Sequence, residues 1–300
     1  MTPPDTASAP SIVALSNKLI EYFAPFDEVV VAFSGGVDSA VVAAAAQRKL
    51  GSRCTAVMAV SPSVPRRQSE LAGQVAEEIG IRLKLVETDE TSRPEYQRND
   101  SQRCFYCKQT LYETIATVMN QSTGRIVCSG TNADDLGDHR PGIQAGNLAA
   151  VRTPLADLGI TKSQVRQLAQ LWRLSIWNLP AGPCLASRIA YGEAVTVDKL
   201  HMIDDAENWL RDEGFDEVRV RLHPGMLARI EVPPLAIPQL LTSDRQQRLS
   251  ARFRSLGFKF VTVDLEGFRS GNLNQLVTLN QPSSATSVTP REDRSTNQSD

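Results

Sequence analysis

The stretch AFSGGVDSAV, residues 32–41, follows the β-branched run 29–31 and leads into a row of alanines. An apolar run, two adjacent glycines and an alanine-rich segment predict a strand, a tight turn and a helix. Glycine lets the backbone turn sharply and aim successive N–H groups at an anion, and the helix that follows adds its positive end. Ser34, Gly35, Gly36, Asp38 and Ser39 are therefore candidate phosphate-binding residues, with a plain, well-capped βα turn as the bland alternative. The chain contains no Gly-Lys dipeptide, so the turn is not a Walker A loop. Without that lysine it suits the pyrophosphate end of ATP better than transfer of a γ-phosphate.

On either side of this turn the pattern alternates. Strands are expected at 29–33, 54–60, 83–88 and 125–129. Helices are expected at 39–50, opened by Asp38 or Ser39 and closed by Gly51, then at 67–79 before Gly80, at 108–119, and at 160–171 from Thr161. Strands separated by helices of this length predict βαβ units, a parallel sheet and a doubly wound α/β domain. The pattern changes near Pro180. A helix at 197–211, strands at 218–222 and 228–232, a segment 235–256 helical at both ends, and a strand at 259–265 predict a smaller α+β domain. The expected division is 11–178 and 179–276, with Ser-, Thr-, Pro- and Asn-rich tails at 1–10 and 281–300 expected to be disordered.

Composition narrows the function classes. Of the 300 residues 41% are hydrophobic and 22% charged, as in an ordinary soluble globular protein. A net charge of −2 without a Lys/Arg block argues against a nucleic-acid partner. The N-terminus MTPPDTASAPS has neither a basic nor an apolar region, which predicts no secretory signal, and no apolar run approaches a membrane span. Five scattered cysteines do not suggest a secreted disulfide framework; a reducing cytoplasm fits them better.

Three of those cysteines stand apart. Cys104 and Cys107 form a CxxC on a turn leading into a helix, a spacing that suits one metal centre, a redox pair or half a zinc site. Zinc is thinly supported, since His139, His201 and His223 form no spaced pair with another ligand. Cys184 lies in PAGPCLASRIAYGE beside Arg188, where a cation favours a thiolate; the alternative is a small residue packed under a turn. Cys54 and Cys128, inside CTAVMAV and IVCSG, are assigned to the core. The stretch SGTNADDLGDHRPG, 129–142, follows the fourth strand and hangs over the same crevice as the glycine turn. Its Asp134, Asp135, Asp138 and Arg140 suit a magnesium–phosphate role, or simply a solvated loop. Arg219 and Arg221 alternate on a strand and share one face, able to hold a phosphate or to face solvent.

SGGVDS after VVVAF resembles the PP-loop of the ATP pyrophosphatases, which adenylate a carbonyl or carboxylate oxygen and release pyrophosphate. With CFYCK, TPLADLGITKSQVRQLA, PCLASRIAYG, VRVRLH and ARIE in order, residues 15–275 resemble the LarE family of ATP-dependent sulfur transferases. The resemblance implies conversion of the carboxylates of pyridinium-3,5-biscarboxylic acid mononucleotide to thiocarboxylates, for the nickel-pincer nucleotide cofactor of lactate racemase. It implies ATP at Ser34–Ser39 with Gly130 and Asn132, and Mg2+ beside it. It places the substrate at Ser187, Arg188, Arg219, Arg221, Asp138 and Arg140, sulfur chemistry at Cys184, and a metal contact at Glu207. The family has two sulfur strategies: a sacrificial cysteine, or a 4Fe-4S cluster on three cysteines with one iron open. Cys104, Cys107 and Cys184 match the second. The resemblance also implies a homo-oligomer and an unidentified sulfide source. A PP-loop tRNA thiolase, a zinc-stapled synthetase and a non-catalytic ATP-binding module are the competing readings.

Overall fold

A computed structural model describes residues 11–119, 125–137, 141–180 and 182–268. Its first sheet has the order β3-β2-β1-β4 and is parallel throughout: β1 (Glu28–Ala32), β2 (Cys54–Val60), β3 (Arg82–Glu87) and β4 (Arg125–Cys128). In the centre of the sheet, Val30 pairs with Thr55 on one side and Val127 on the other. A strand covered on both faces needs a continuous apolar run rather than alternation, and residues 29–31 supply it.

Helix α1 (Ile12–Glu21) lies N-terminal to every element expected from the sequence, opened by Ser11, whose hydroxyl accepts the Ala14 N–H. Helix α2 (Val37–Leu50) begins two residues earlier than expected. Gly36 caps it, because its carbonyl already accepts the Ala40 N–H at 3.0 Å, so Val37 and Asp38 form the first turn. Ala43 to Ala46 are wholly buried, and these small side chains let α2 lie close against β1 and α1. Helix α3 (Arg66–Ile79) ends on Gly80 in the left-handed conformation at φ 73°, as the glycine's place in the sequence implied.

Two further helices precede the fourth strand: the short α4 (Pro94–Gln97) and α5 (Arg103–Val118). The start of α5 differs from the expected residue 108. Asp100 accepts the Gln102 N–H at 2.8 Å and turns the chain early, so Cys104 and Cys107 sit in the first turns of the helix and not on the turn before it. After β4 come α6 (Pro141–Leu148), α7 (Pro154–Asp157) and α8 (Lys162–Leu171), the last opened by a Thr161–Gln164 capping box.

The second sheet is mixed, in the order β5-β6-β7. Strands β5 (Arg219–His223) and β6 (Leu227–Glu231) pair antiparallel, whereas β6 and β7 (Phe260–Val263) pair parallel. Helix α9 (Val197–Asp212) precedes it, and the segment expected to be helical at both ends divides into α10 (Ile237–Leu240) and α11 (Ser243–Leu256). Leu200, Ile203, Leu210, Val220, Ile230 and Phe253 form a second core, and Tyr96 of α4 is buried in it. Cys107 and Cys184 pack against that same core. No helix among the described residues is long and apolar enough to cross a membrane. Asp138, Arg140 and the tails at 1–10 and 281–300 lie outside the described residues.

Candidate active site

The glycine turn is held by its own hydroxyls. Ser39 Oγ donates to the Gly36 carbonyl at 3.0 Å and accepts the Ser34 N–H at 3.2 Å. Gly35 has φ 71°, and a Cβ there would stand 2.9 Å from the Ala72 Cβ, so only glycine fits. The N-terminus of α2 thus opens on a turn braced from behind, the arrangement that favours a polyphosphate.

Asp38 is gripped from two sides. Asn132 Nδ2 donates to its Oδ1 at 3.1 Å, and the Lys162 ammonium pairs with its Oδ2. Asn132 is itself fixed, with its Oδ1 accepting the Asp134 N–H and its own N–H donating to Asp135. The Lys162 backbone N–H donates to Asp134 at 2.8 Å, so α8 and the loop after β4 meet at the turn. Gly130 contributes by being small: a Cβ on it would stand 2.6 Å from the Ser39 nitrogen. Ser34 to Ser39, Gly130 and Asn132 therefore come together, Gly130 and Asn132 as supports of the turn. Lys162 has no role in the expectations from sequence, yet a lysine at the first position of a helix opposes the helix dipole, and that misplacement was the available signal.

The thiols form a second focus. Cys54 and Cys128 are buried in the core, as expected, and burial pushes the Cys54 thiol up to about 12. Cys104 is exposed, Cys107 and Cys184 are half-buried, and all three are free. Burial first, then the charges of Cys184 and Glu90, push the Cys107 thiol up to about 12. Tyr96 is pushed up by burial and by the same Cys184 and Cys107, and its hydroxyl lies 2.7 Å from Ser63 Oγ. Beside them Arg103 is buried; its Nη1 donates to the Ala186 carbonyl at 2.9 Å. Burial opposes its charge, but Cys184, Cys104, Tyr96 and Tyr191 together outweigh it, so its pKa rises. CxxC and Cys184 are thus neighbours, although among the described residues no group of three or more His, Cys, Asp or Glu side chains stands ready to hold a metal.

Arg188 was expected to act on the Cys184 thiol. Its guanidinium instead donates to the Cys184 carbonyl at 2.9 Å and to the Pro183 carbonyl, bracing the loop through its backbone. It also pairs with Glu207 at 3.0 Å, and Glu207 further accepts from Arg211 at 2.8 Å and from the Val220 N–H at 3.1 Å. Glu207 is fully buried, so its carboxylate serves as a counter-ion to guanidiniums rather than lying at an open metal position. Arg221 makes a two-pronged pair with buried Glu231 at 2.6 and 3.0 Å and donates to the Ser187 carbonyl at 3.1 Å. Arg219 stacks on Phe268 at 4.4 Å. Burial and the charges of Arg188 and Arg221 lower its pKa to about 10. Arg188 and Arg221 both bond to Ser187, each balanced by a buried carboxylate, while the pKa of Arg219 is lowered by burial and by their charges.

The family model described as NAD synthase matches residues 12–176. The chain is 44% identical to an uncharacterized protein of Synechocystis sp. over 87% of its length and 97% of that protein. It is 35% identical to pyridinium-3,5-bisthiocarboxylic acid mononucleotide synthase of Lactiplantibacillus plantarum, over 87% of this chain and 94% of that one. A more distant similarity, 26% identity over 86% of this chain and 97% of the other, is to an uncharacterized protein of Methanocaldococcus jannaschii.

Proposed function

The chain belongs to the LarE family of PP-loop enzymes and is an ATP-dependent, adenylating sulfur transferase; from this premise we propose that it makes pyridinium-3,5-bisthiocarboxylic acid mononucleotide from the corresponding biscarboxylate, for the nickel-pincer nucleotide. A substrate carboxylate oxygen attacks the α-phosphorus of ATP and pyrophosphate leaves, held by Ser34 to Ser39 and drawn by Lys162. A sulfur nucleophile then attacks the acyl carbon and AMP departs. Arg219, Arg221, Arg188 and Ser187 bind the substrate phosphate, with Asp138 and Arg140 assigned to the same substrate. Asp38 would offer a hard carboxylate oxygen to Mg2+ accompanying ATP. Glu207 keeps the substrate guanidiniums in place.

The single observation that carries the sulfur assignment is that Cys107 and Cys184, from two distant segments, pack against the same core, with Cys104 one turn away on the helix of Cys107 and all three thiols free. In donor chemistry they fit a 4Fe-4S cluster, which when bound would supply the transferable sulfide from its open iron. Cys104 and Cys107, from the first turns of α5, would supply two of its thiolate ligands and Cys184, from its loop, the third. The enzyme is proposed to work in the cytoplasm as a homo-oligomer on a small molecule, with an outside sulfide source. Anaerobic purification with iron and sulfide analysis tests this: wild type is expected to be brown with about four irons per chain, and Cys104→Ser and Cys184→Ser to lose them. Colourless protein whose Cys184 loses the mass of one hydrogen sulfide molecule in a single turnover would establish the sacrificial route instead. Tight, salt-sensitive tRNA binding would replace the small-molecule substrate by RNA.

A further inference from the structure

Gln68, the third residue of α3, stands between the nucleotide turn and the loop that carries Cys184. Its Nε2 donates to the Ser34 carbonyl at 2.7 Å. A Cβ on Gly35 would come within 3.0 Å of that same nitrogen. At the other end of the carboxamide, a Cβ on Gly182 would lie 3.0 Å from Oε1. One carboxamide thus bonds to the nucleotide turn and lies close against the backbone two residues before Cys184. Both close approaches depend on a glycine.

The same connection supports the sulfur loop again. The Leu185 N–H donates to the Ser63 carbonyl at 2.9 Å, and Ser63 Oγ meets the Tyr96 hydroxyl beneath Cys107 and Cys184. Helix α3 is in turn anchored on α9, by Arg66 to Asp204 at 2.7 Å and by Arg67 to Asp212. The first turn of α3 is therefore a shared footing for both loops.

We propose that Gln68 is a positioning residue that couples occupancy of the nucleotide turn to the placement of the Cys184 loop, through one carboxamide bonded to Ser34 and lying close against Gly182. The coupling rests on Cys184 being the sulfur site. In a planar trans peptide the oxygen and the following N–H point in opposite directions. A hydrogen bond on the Ser34 oxygen thus aims the Gly35 N–H away from Gln68, into the turn where phosphate binds. Phosphate binding to that N–H tilts the same peptide, moves the Ser34 oxygen, and carries the Gln68 carboxamide with it. The far end of the carboxamide shifts against Gly182, two residues before Cys184. Activation of the carboxylate and presentation of sulfur are then timed together.

Hydrogen–deuterium exchange of a peptide spanning residues 182–190, with and without Mg2+ and α,β-methylene ATP, reads this coupling. In wild type the nucleotide is expected to slow exchange there. Gly182→Ala, at a residue without positive φ, sets a methyl 3.0 Å from Oε1, crowds the far end of the carboxamide and is expected to abolish the nucleotide effect while ATP–pyrophosphate exchange continues. Gln68→Leu is expected to abolish the same effect from the other side. Wild type that binds nucleotide without any change at 182–190, or both variants keeping the full change, overturns the coupling alone. Wild type that binds no nucleotide overturns the enzymatic reading, and the coupling with it. Thiocarboxylate formation, measured alongside, should fall in kcat without a matching rise in the KM for ATP.

Discussion

The ammonium of Lys162 lies on the carboxylate of Asp38, joining the first residue of α8 to the second residue of α2 across the nucleotide turn. The pair places a cation beside a turn that lacks a P-loop lysine. With pyrophosphate in the turn, the ammonium can divide itself between Asp38 and the leaving group. Lys162→Met should therefore lower ATP–pyrophosphate exchange by about 100-fold, the usual scale for losing one charge-stabilising donor. Thermal stability should change little, since both partners are partly exposed.

Gly130 and Gly73 make a matched pair. Gly130→Ala would drive a methyl to 2.6 Å from the Ser39 nitrogen, against backbone that cannot give way. Overpacking of this kind costs about 1–3 kcal/mol, and here it also displaces the nucleotide turn. Gly73, in α3, meets nothing within 4 Å, so Gly73→Ala should stabilise the protein by about 1 kcal/mol through helix propensity. Urea unfolding together with ATP–pyrophosphate exchange checks both, with exchange lost only in Gly130→Ala.

Glu207 supplies a pH-dependent part of the stability. Burial pushes its carboxyl up, but Arg188 and Arg211 outweigh burial and hold it below the ordinary carboxylate range. A carboxyl whose pKa is depressed on folding contributes fully above its unfolded value, about 4.3, and loses that contribution as pH falls towards the folded value. Glu207→Gln leaves two guanidiniums short of their counter-charge and should cost about 3–5 kcal/mol at neutral pH. The gap between variant and wild type should narrow as the pH is lowered through about 4, read from urea midpoints.

Thiol labelling should follow burial and the local charges. In apo protein at mildly alkaline pH, iodoacetamide should modify exposed Cys104 first. Cys107, its thiol raised by burial and by Cys184, should lag behind it. Cys54 and Cys128 should react only on unfolding. Peptide mass mapping over time checks the order; early labelling of Cys128 would contradict the packing described.

Local patterning made much of the fold legible. The strand at 54–60 matches β2 residue for residue, and Gly51 and Gly80 end their helices, because caps and hydrophobic period act between chain neighbours. The glycine turn was legible for the same reason: strand, tight turn and helix N-terminus lie within a dozen residues. The start of α5 was not, since a single Asp100 side-chain contact moved it ahead of the cysteines.

By itself the sequence determined a parallel α/β fold with an anion-binding turn, and which residue types were available for the chemistry. Only the tertiary structure decided what those residues do to one another. Lys162 meets Asp38 across 124 residues, and Arg188 turns to a carbonyl and Glu207 instead of a thiol. Gln68 donates to the Ser34 carbonyl while its Oε1 lies close to Gly182. Such contacts depend on which loops the sheet order brings together at the carboxyl ends of its strands. Residue spacing along the chain carries no record of that.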